Sequence, residues 1–154
     1  MENNIQIGVI GAGKCSDRIY DLAASVGYEI GKRGWTLICG GLAGVMEASA
    51  RGCLKAGGMT VGILPGTDKN TANPYIKVAL PTGLGDGRNL LVARAADLLI
   101  AIAGGYGTLS EIALALKMGK VVPGIHTWEN IEGIRYVETP DDAIKEVRLW
   151  LNGV

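Results

Sequence analysis

Residues 97–111 read DLLIAIAGGYGTLSE, an apolar run that breaks at glycine and resumes as a helical pattern. Residues 98–103 have the length and composition of a strand buried on both faces, as strands of parallel sheets are. The strand should end at Gly104-Gly105-Tyr106-Gly107-Thr108, with a helix following over residues 109–118. Because Gly104, Gly105 and Gly107 carry no side chains, backbone N–H groups can approach a bound anion, and the helix start adds unpaired amides and its positive dipole end. A phosphate fits such a place.

The same design recurs on either side. Residues 5–10 form a first strand, ended by Gly11-Ala12-Gly13, and residues 17–33 then place Ile19, Leu22, Ala23, Val26 and Ile30 on one helical face. A strand at 35–39 runs into Gly40-Gly41-Leu42-Ala43-Gly44 and a helix over 45–56, followed by a strand at 59–64. Residues 65–74, PGTDKNTANP, are polar and turn-rich, the composition of a mobile flap or of an idle surface loop. A short edge strand at 76–80 and a helix at 88–96 lead to the central strand. Strands at 121–125 and 134–138 follow the central motif, and Thr139-Pro140-Asp141-Asp142 opens a last helix with proline in its first turn. This alternation predicts an α/β fold over residues 1–154 as one domain. Its three layers hold a doubly wound, Rossmann-like, mainly parallel sheet of six to seven strands with helices on both faces and right-handed crossovers.

Composition narrows the function. Of 154 residues, 15 are basic and 15 acidic, so the electrostatic footprint of a nucleic-acid or anionic-membrane binder is missing. Cys15, Cys39 and Cys53 form no CxxC pair, which argues against a disulfide framework or zinc site and fits a reducing cytoplasm. The N-terminal MENNIQIGVI has no basic leader, and no run approaches the roughly 18 apolar residues a membrane span needs. The helix at 109–118 is apolar almost all round, which predicts a homodimer or higher homo-oligomer built through it.

In a doubly wound sheet the strand C-termini share one edge, so the three glycine corners should converge on one cleft. Its predicted lining is Gly11, Gly13, Lys14 and Ser16 from the first corner, Gly40, Gly41 and Gly44 from the second, and Gly104, Gly105, Tyr106, Gly107 and Thr108 from the third. The first corner begins like a dinucleotide fingerprint, but Ser16 replaces the third glycine and no acid ends the second strand, which argues against NAD. Gly8 to Lys14 fits GxxxxGK, yet Cys15 stands where Ser or Thr would hold magnesium. Glu111 has the spacing to close a capping box with Thr108, and it is equally placed to hold a ribose hydroxyl or a water. Arg88 is either a solvated cation or a phosphate or substrate contact. His126 has no partner triad, Ser16 and Ser110 no nearby histidine, and no metal set is apparent.

With Gly104, Gly105, Gly107, Thr108 and Glu111 matching PGGxGTxxE, and Gly40, Gly41 and Gly44 forming a GGxxxGxM-like corner with Met46 close by, the chain resembles the Lonely Guy superfamily over residues 5–125. That resemblance implies either of two activities. One is the cytokinin-activating phosphoribohydrolase reaction, in which Arg88 and Glu111 would cleave the N-glycosidic bond of a nucleoside 5′-monophosphate to free base and ribose 5-phosphate. The other is the molybdenum cofactor carrier branch, which the strings GILPGTDKNTANPYIKVALPTGL and GRNLLVARAADLLIAIAGG resemble more closely. There the cleft would bind phosphorylated molybdopterin without chemistry and require no cofactor of its own. The enzymes carry Pro at Ala103, Lys at Asn89 and Met at Val92. The superfamily's lysine decarboxylase label finds no support, since no Lys has a pyridoxal-phosphate context.

Overall fold

The computed structural model describes residues 4–153. Met1, Glu2 and Asn3, part of the stretch read as having no basic leader, and Val154 lie outside the described residues. In chain order the elements are β1 (Gln6–Gly11), α1 (Asp17–Lys32), β2 (Thr36–Cys39), α2 (Val45–Lys55), β3 (Met59–Leu64), β4 (Val78–Pro81), α3 (Arg88–Ala95), β5 (Leu98–Ile102), α4 (Tyr106–Lys117), β6 (Val122–Ile125), β7 (Ile134–Tyr136) and α5 (Pro140–Asn152). One-turn 3₁₀ segments lie at Lys69–Thr71 and Gly85–Gly87.

All seven strands join one sheet in the order β4-β3-β2-β1-β5-β6-β7, and every neighbouring pair is parallel. The fold is thus the expected Rossmann-like α/β architecture. From β1 the chain steps outward to β4, and α3 then returns it to β5 on the other side of β1. Alternation along the strands sorts the core into two clusters. Ile7, Val9, Leu98, Ile100 and Ile102 pack with α1, α2 and α5, whereas Ile10, Leu99 and Ala101 pack with α3 and α4. Every residue of β5 is buried, and each large side chain there contributes about 1.5–3 kcal/mol by leaving water.

On the first face α1 and α2 meet backbone to backbone. A Cβ on Gly27 would stand 1.9 Å from Ser49 O, and one on Gly52 1.9 Å from Ala24 O. Ser16 caps α1 by accepting from Ile19 N, and Thr139 caps α5 by accepting from Asp142 N, with Pro140 in the first turn. No helix among the described residues is long and apolar enough to cross a membrane.

Two boundaries differ from the sequence reading in ways that matter. β4 occupies Val78–Pro81 rather than 76–80, because Ile76 packs against the core cluster beneath Gly62 instead of joining the ladder. α4 begins at Tyr106, three residues before the expected Leu109, with Gly105 as its N-cap. Gly107 is a poor helix former, and its presence in the first turn hides the true start. Other ends move by one or two residues, the ordinary fraying of termini.

Candidate functional site

The crevice lies where the strand order reverses, beyond the C-terminal ends of β1 and β5, the place an open α/β sheet leaves for a ligand. A cavity of about 290 Å³ occupies it. β1 contributes Val9, Ile10 and Gly11, with Gly13 just beyond; the next corner contributes Gly40 and Met46; and the central corner contributes Gly105, Gly107 and Thr108. Arg88 and Asn89 enter from the start of α3, and Glu111 from the second turn of α4. All three glycine corners therefore reach one hollow. The N–H groups of Tyr106, Gly107 and Thr108, in the first turn of α4, have no intrahelical acceptor and bring the positive dipole end to it.

Lys14, Ser16, Gly41, Gly44, Gly104 and Tyr106 are not among the lining residues. Lys14 is exposed, Ser16 is occupied as the α1 cap, and Gly41 N donates to Cys39 Sγ at 3.4 Å. Gly44 is the N-cap of α2, and Gly104 turns the chain beneath Thr108. The polar loop at 65–74 does not line the cavity either. Asn73 ties its end to the second corner, donating from Nδ2 to Leu42 O at 2.8 Å and from its backbone N to Gly41 O at 2.9 Å.

Arg88 is held across two strand ends. Its Nε donates to Ile63 O at 3.0 Å, Nη2 to Gly40 O at 3.5 Å, and Nη1 to Asn89 Oδ1. Glycine at position 40 makes the approach possible, since a Cβ there would lie 2.7 Å from Nη2. A guanidinium has five N–H donors, so two remain for a ligand once these three are counted. Asn89, missed as a site residue because it was noted only as a departure from the enzymes, is 5% exposed and donates from Nδ2 to Ser110 Oγ at 3.1 Å.

Glu111 does not close a capping box with Thr108. The earlier helix start places it a turn inside α4, and its carboxyl makes no hydrogen bond among the described residues. It is 6% exposed and borders the cavity. Burial pushes this carboxyl up to about 7, against the pull of the Arg88 charge, which acts through space without an ion pair. The neighbouring Cys39 thiol is pushed up to about 12 by burial and is thus inert at neutral pH. His126 is exposed, and no group of three or more His, Cys, Asp or Glu among the described residues could hold a metal ion.

A parallel sheet whose switch point gathers glycine corners, a helix start, a guanidinium and a buried carboxyl defines a Rossmann-like protein with one cleft at that point. The chain belongs to the SLOG cluster4 family, which it matches over residues 4–147, within the Lonely Guy and molybdenum cofactor carrier superfamily. An uncharacterized protein of Archaeoglobus fulgidus is 47% identical over 140 residues, covering 91% of this chain and 92% of its own length. A cytokinin riboside 5′-monophosphate phosphoribohydrolase of Mycobacterium tuberculosis is 30% identical over 148 residues, covering 88% of this chain and 71% of that one. The molybdenum cofactor binding protein of Rippkaea orientalis superposes with a TM-score of 0.92 at 31% identity, covering 98% and 99% of the two chains.

Proposed function

We infer that the protein captures a small phosphorylated ligand in this cleft and holds it without chemistry, as a molybdenum cofactor carrier does. The supporting observation is the lining itself, where Glu111 is the one carboxylate and Arg88 the one cation among the described residues. Cleavage of a glycosidic bond ordinarily draws on a paired acid and base. Capture needs only the α4 amides of Tyr106, Gly107 and Thr108 for the phosphate, the two spare Arg88 donors, and Gly11, Gly13, Gly40 and Gly105 kept open for close approach. The similarity to the Rippkaea orientalis protein over nearly the whole chain supports the same reading.

A second reading has one observation in its favour: a carboxyl raised to about 7 borders the same cavity as a guanidinium. In a phosphoribohydrolase Glu111 would orient the ribose or a water, and Arg88 would assist the departing base. Incubation with AMP decides between them. The carrier reading expects no adenine and no ribose 5-phosphate, together with molybdopterin binding by calorimetry. Base release abolished by Glu111→Gln or Arg88→Ala would establish the hydrolase instead, and failure to bind any phosphorylated compound would remove both.

Leu90 and Leu91 are exposed on α3, and Leu90 borders a hollow with Leu114 of the packed neighbour α4. We infer that a second copy covers this face in a homodimer.

A further inference from the structure

Asn89 is buried at the start of α3, and both ends of its amide are engaged. Its Oδ1 accepts from Arg88 Nη1, and its Nδ2 donates to Ser110 Oγ at 3.1 Å. Ser110 in turn donates to Gly107 O at 2.6 Å, in the first turn of α4. A guanidinium has no acceptor, so only the oxygen end of the amide can face it. The serine hydroxyl has directed its single proton to Gly107, so only the nitrogen end can face Ser110. The position therefore demands a carboxamide. A carboxylate lacks the N–H for Ser110, and an aliphatic side chain lacks both groups.

This chain of bonds decides how Arg88 presents itself to the cavity. Nε and Nη2 lie along one edge of the guanidinium, and both donate to backbone carbonyls, Ile63 O at 3.0 Å and Gly40 O at 3.5 Å. Two contacts along one edge leave the plane free to swing about that edge. The bond from Nη1 to Asn89 lies off the edge and fixes the plane, and with it the direction of the spare N–H groups. Because Asn89 is itself pinned through Ser110 to the first turn of α4, the cation is set in register with the open amides of Tyr106, Gly107 and Thr108. We propose that Asn89 is a positioning residue of the anion site, holding the Arg88 fork and the start of α4 in the relative placement that lets both donate to one phosphate. The proposal rests on phosphate capture in the cleft and adds what sets its strength. Such placement matters because a charge-assisted arginine contact weakens steeply when the donor and acceptor are misaligned.

The test is calorimetry with AMP and with molybdopterin on the wild type, Asn89→Ala, Ser110→Ala, Arg88→Lys and the double variant Asn89→Ala with Arg88→Lys. Asn89→Ala should weaken binding about tenfold, the scale of one hydrogen bond to a charged group. Ser110→Ala frees only the nitrogen end of the amide and should weaken binding in the same direction by less. Lysine at position 88 keeps the charge but has no plane to orient, so in that background Asn89→Ala should cost less than about twofold. An asparagine that merely supports the fold, or that touches the ligand itself, would lower affinity by the same factor in both backgrounds, and that result overturns the proposal. Unchanged affinity in Asn89→Ala also overturns it and leaves phosphate capture standing. If urea unfolding shows that Asn89→Ala does not fold, Ser110→Ala carries the same comparison in both backgrounds, since Ser110 is exposed. A wild type that binds neither probe removes the capture reading itself, and this proposal with it.

Discussion

Glu111 holds a proton that an exposed glutamate would release, and this ties stability to pH. Its unfolded value is near 4.5 and its folded value about 7, because burial disfavours the charged form more than Arg88 favours it. Between those pH values the native chain keeps a proton that the unfolded chain has lost, so stability falls as pH rises through the window. Above it the penalty reaches roughly 3 kcal/mol. Glu111→Gln should therefore stabilise the fold at pH 8 by up to about that amount and leave it nearly unchanged at pH 4, as read by denaturant unfolding at both values. Equal effects at the two pH values would show that the carboxyl is not desolvated. The role of this residue was only half legible in the sequence. T-L-S-E has capping-box spacing, and nothing in it reveals that the helix has already begun at Tyr106, which turns the carboxyl from a cap into a lone acid beside a cavity.

The corner joining β5 to α4 shows the same limit one scale up. Ala103 sits at φ 51°, with its N–H donating to Ile125 O at 3.0 Å and its carbonyl accepting from Thr127 Oγ1 at 2.8 Å. Proline fixes φ near −65° and has no N–H, so the proline that the resemblance to the enzymes would put here cannot enter this turn as built. Ala103→Pro should cost about 3 kcal/mol or more, whereas Ala103→Gly should stay within about 1 kcal/mol, both measured by urea unfolding. A proline variant as stable as the wild type would mean that the corner rebuilds freely. The glycine corners themselves were legible because glycine advertises a turn. Alanine gives no such signal. Nor does Lys120, whose Nζ donates to the carbonyls of Ala93, Arg94 and Ala96 at the end of α3, more than twenty positions away in sequence.

For the whole molecule, the homodimer proposed through α3 and α4 predicts a dimer in sedimentation at micromolar concentration. A clean monomer there would leave Leu90 and Leu91 as isolated surface side chains, which need no partner. Strand number and direction followed from the alternation of apolar runs with helical periods. Strand order did not, because local periodicity carries no information on which buried strand lies beside which; β4 and β7 gave edge-length signals, while the placement of β5 against β1 rests on the fit of side chains far apart in sequence.

That placement bears on synthesis. Ile7 pairs with Leu98, and Gln6 N donates to Asp97 Oδ2 across 91 positions, so β1 lacks one of its two neighbours until β5 has been made. A nascent chain cut short before Asp97 would present a bare, sticky sheet margin. The cleft straddles that junction, so its lining is complete only once residues as far as Glu111 have been made.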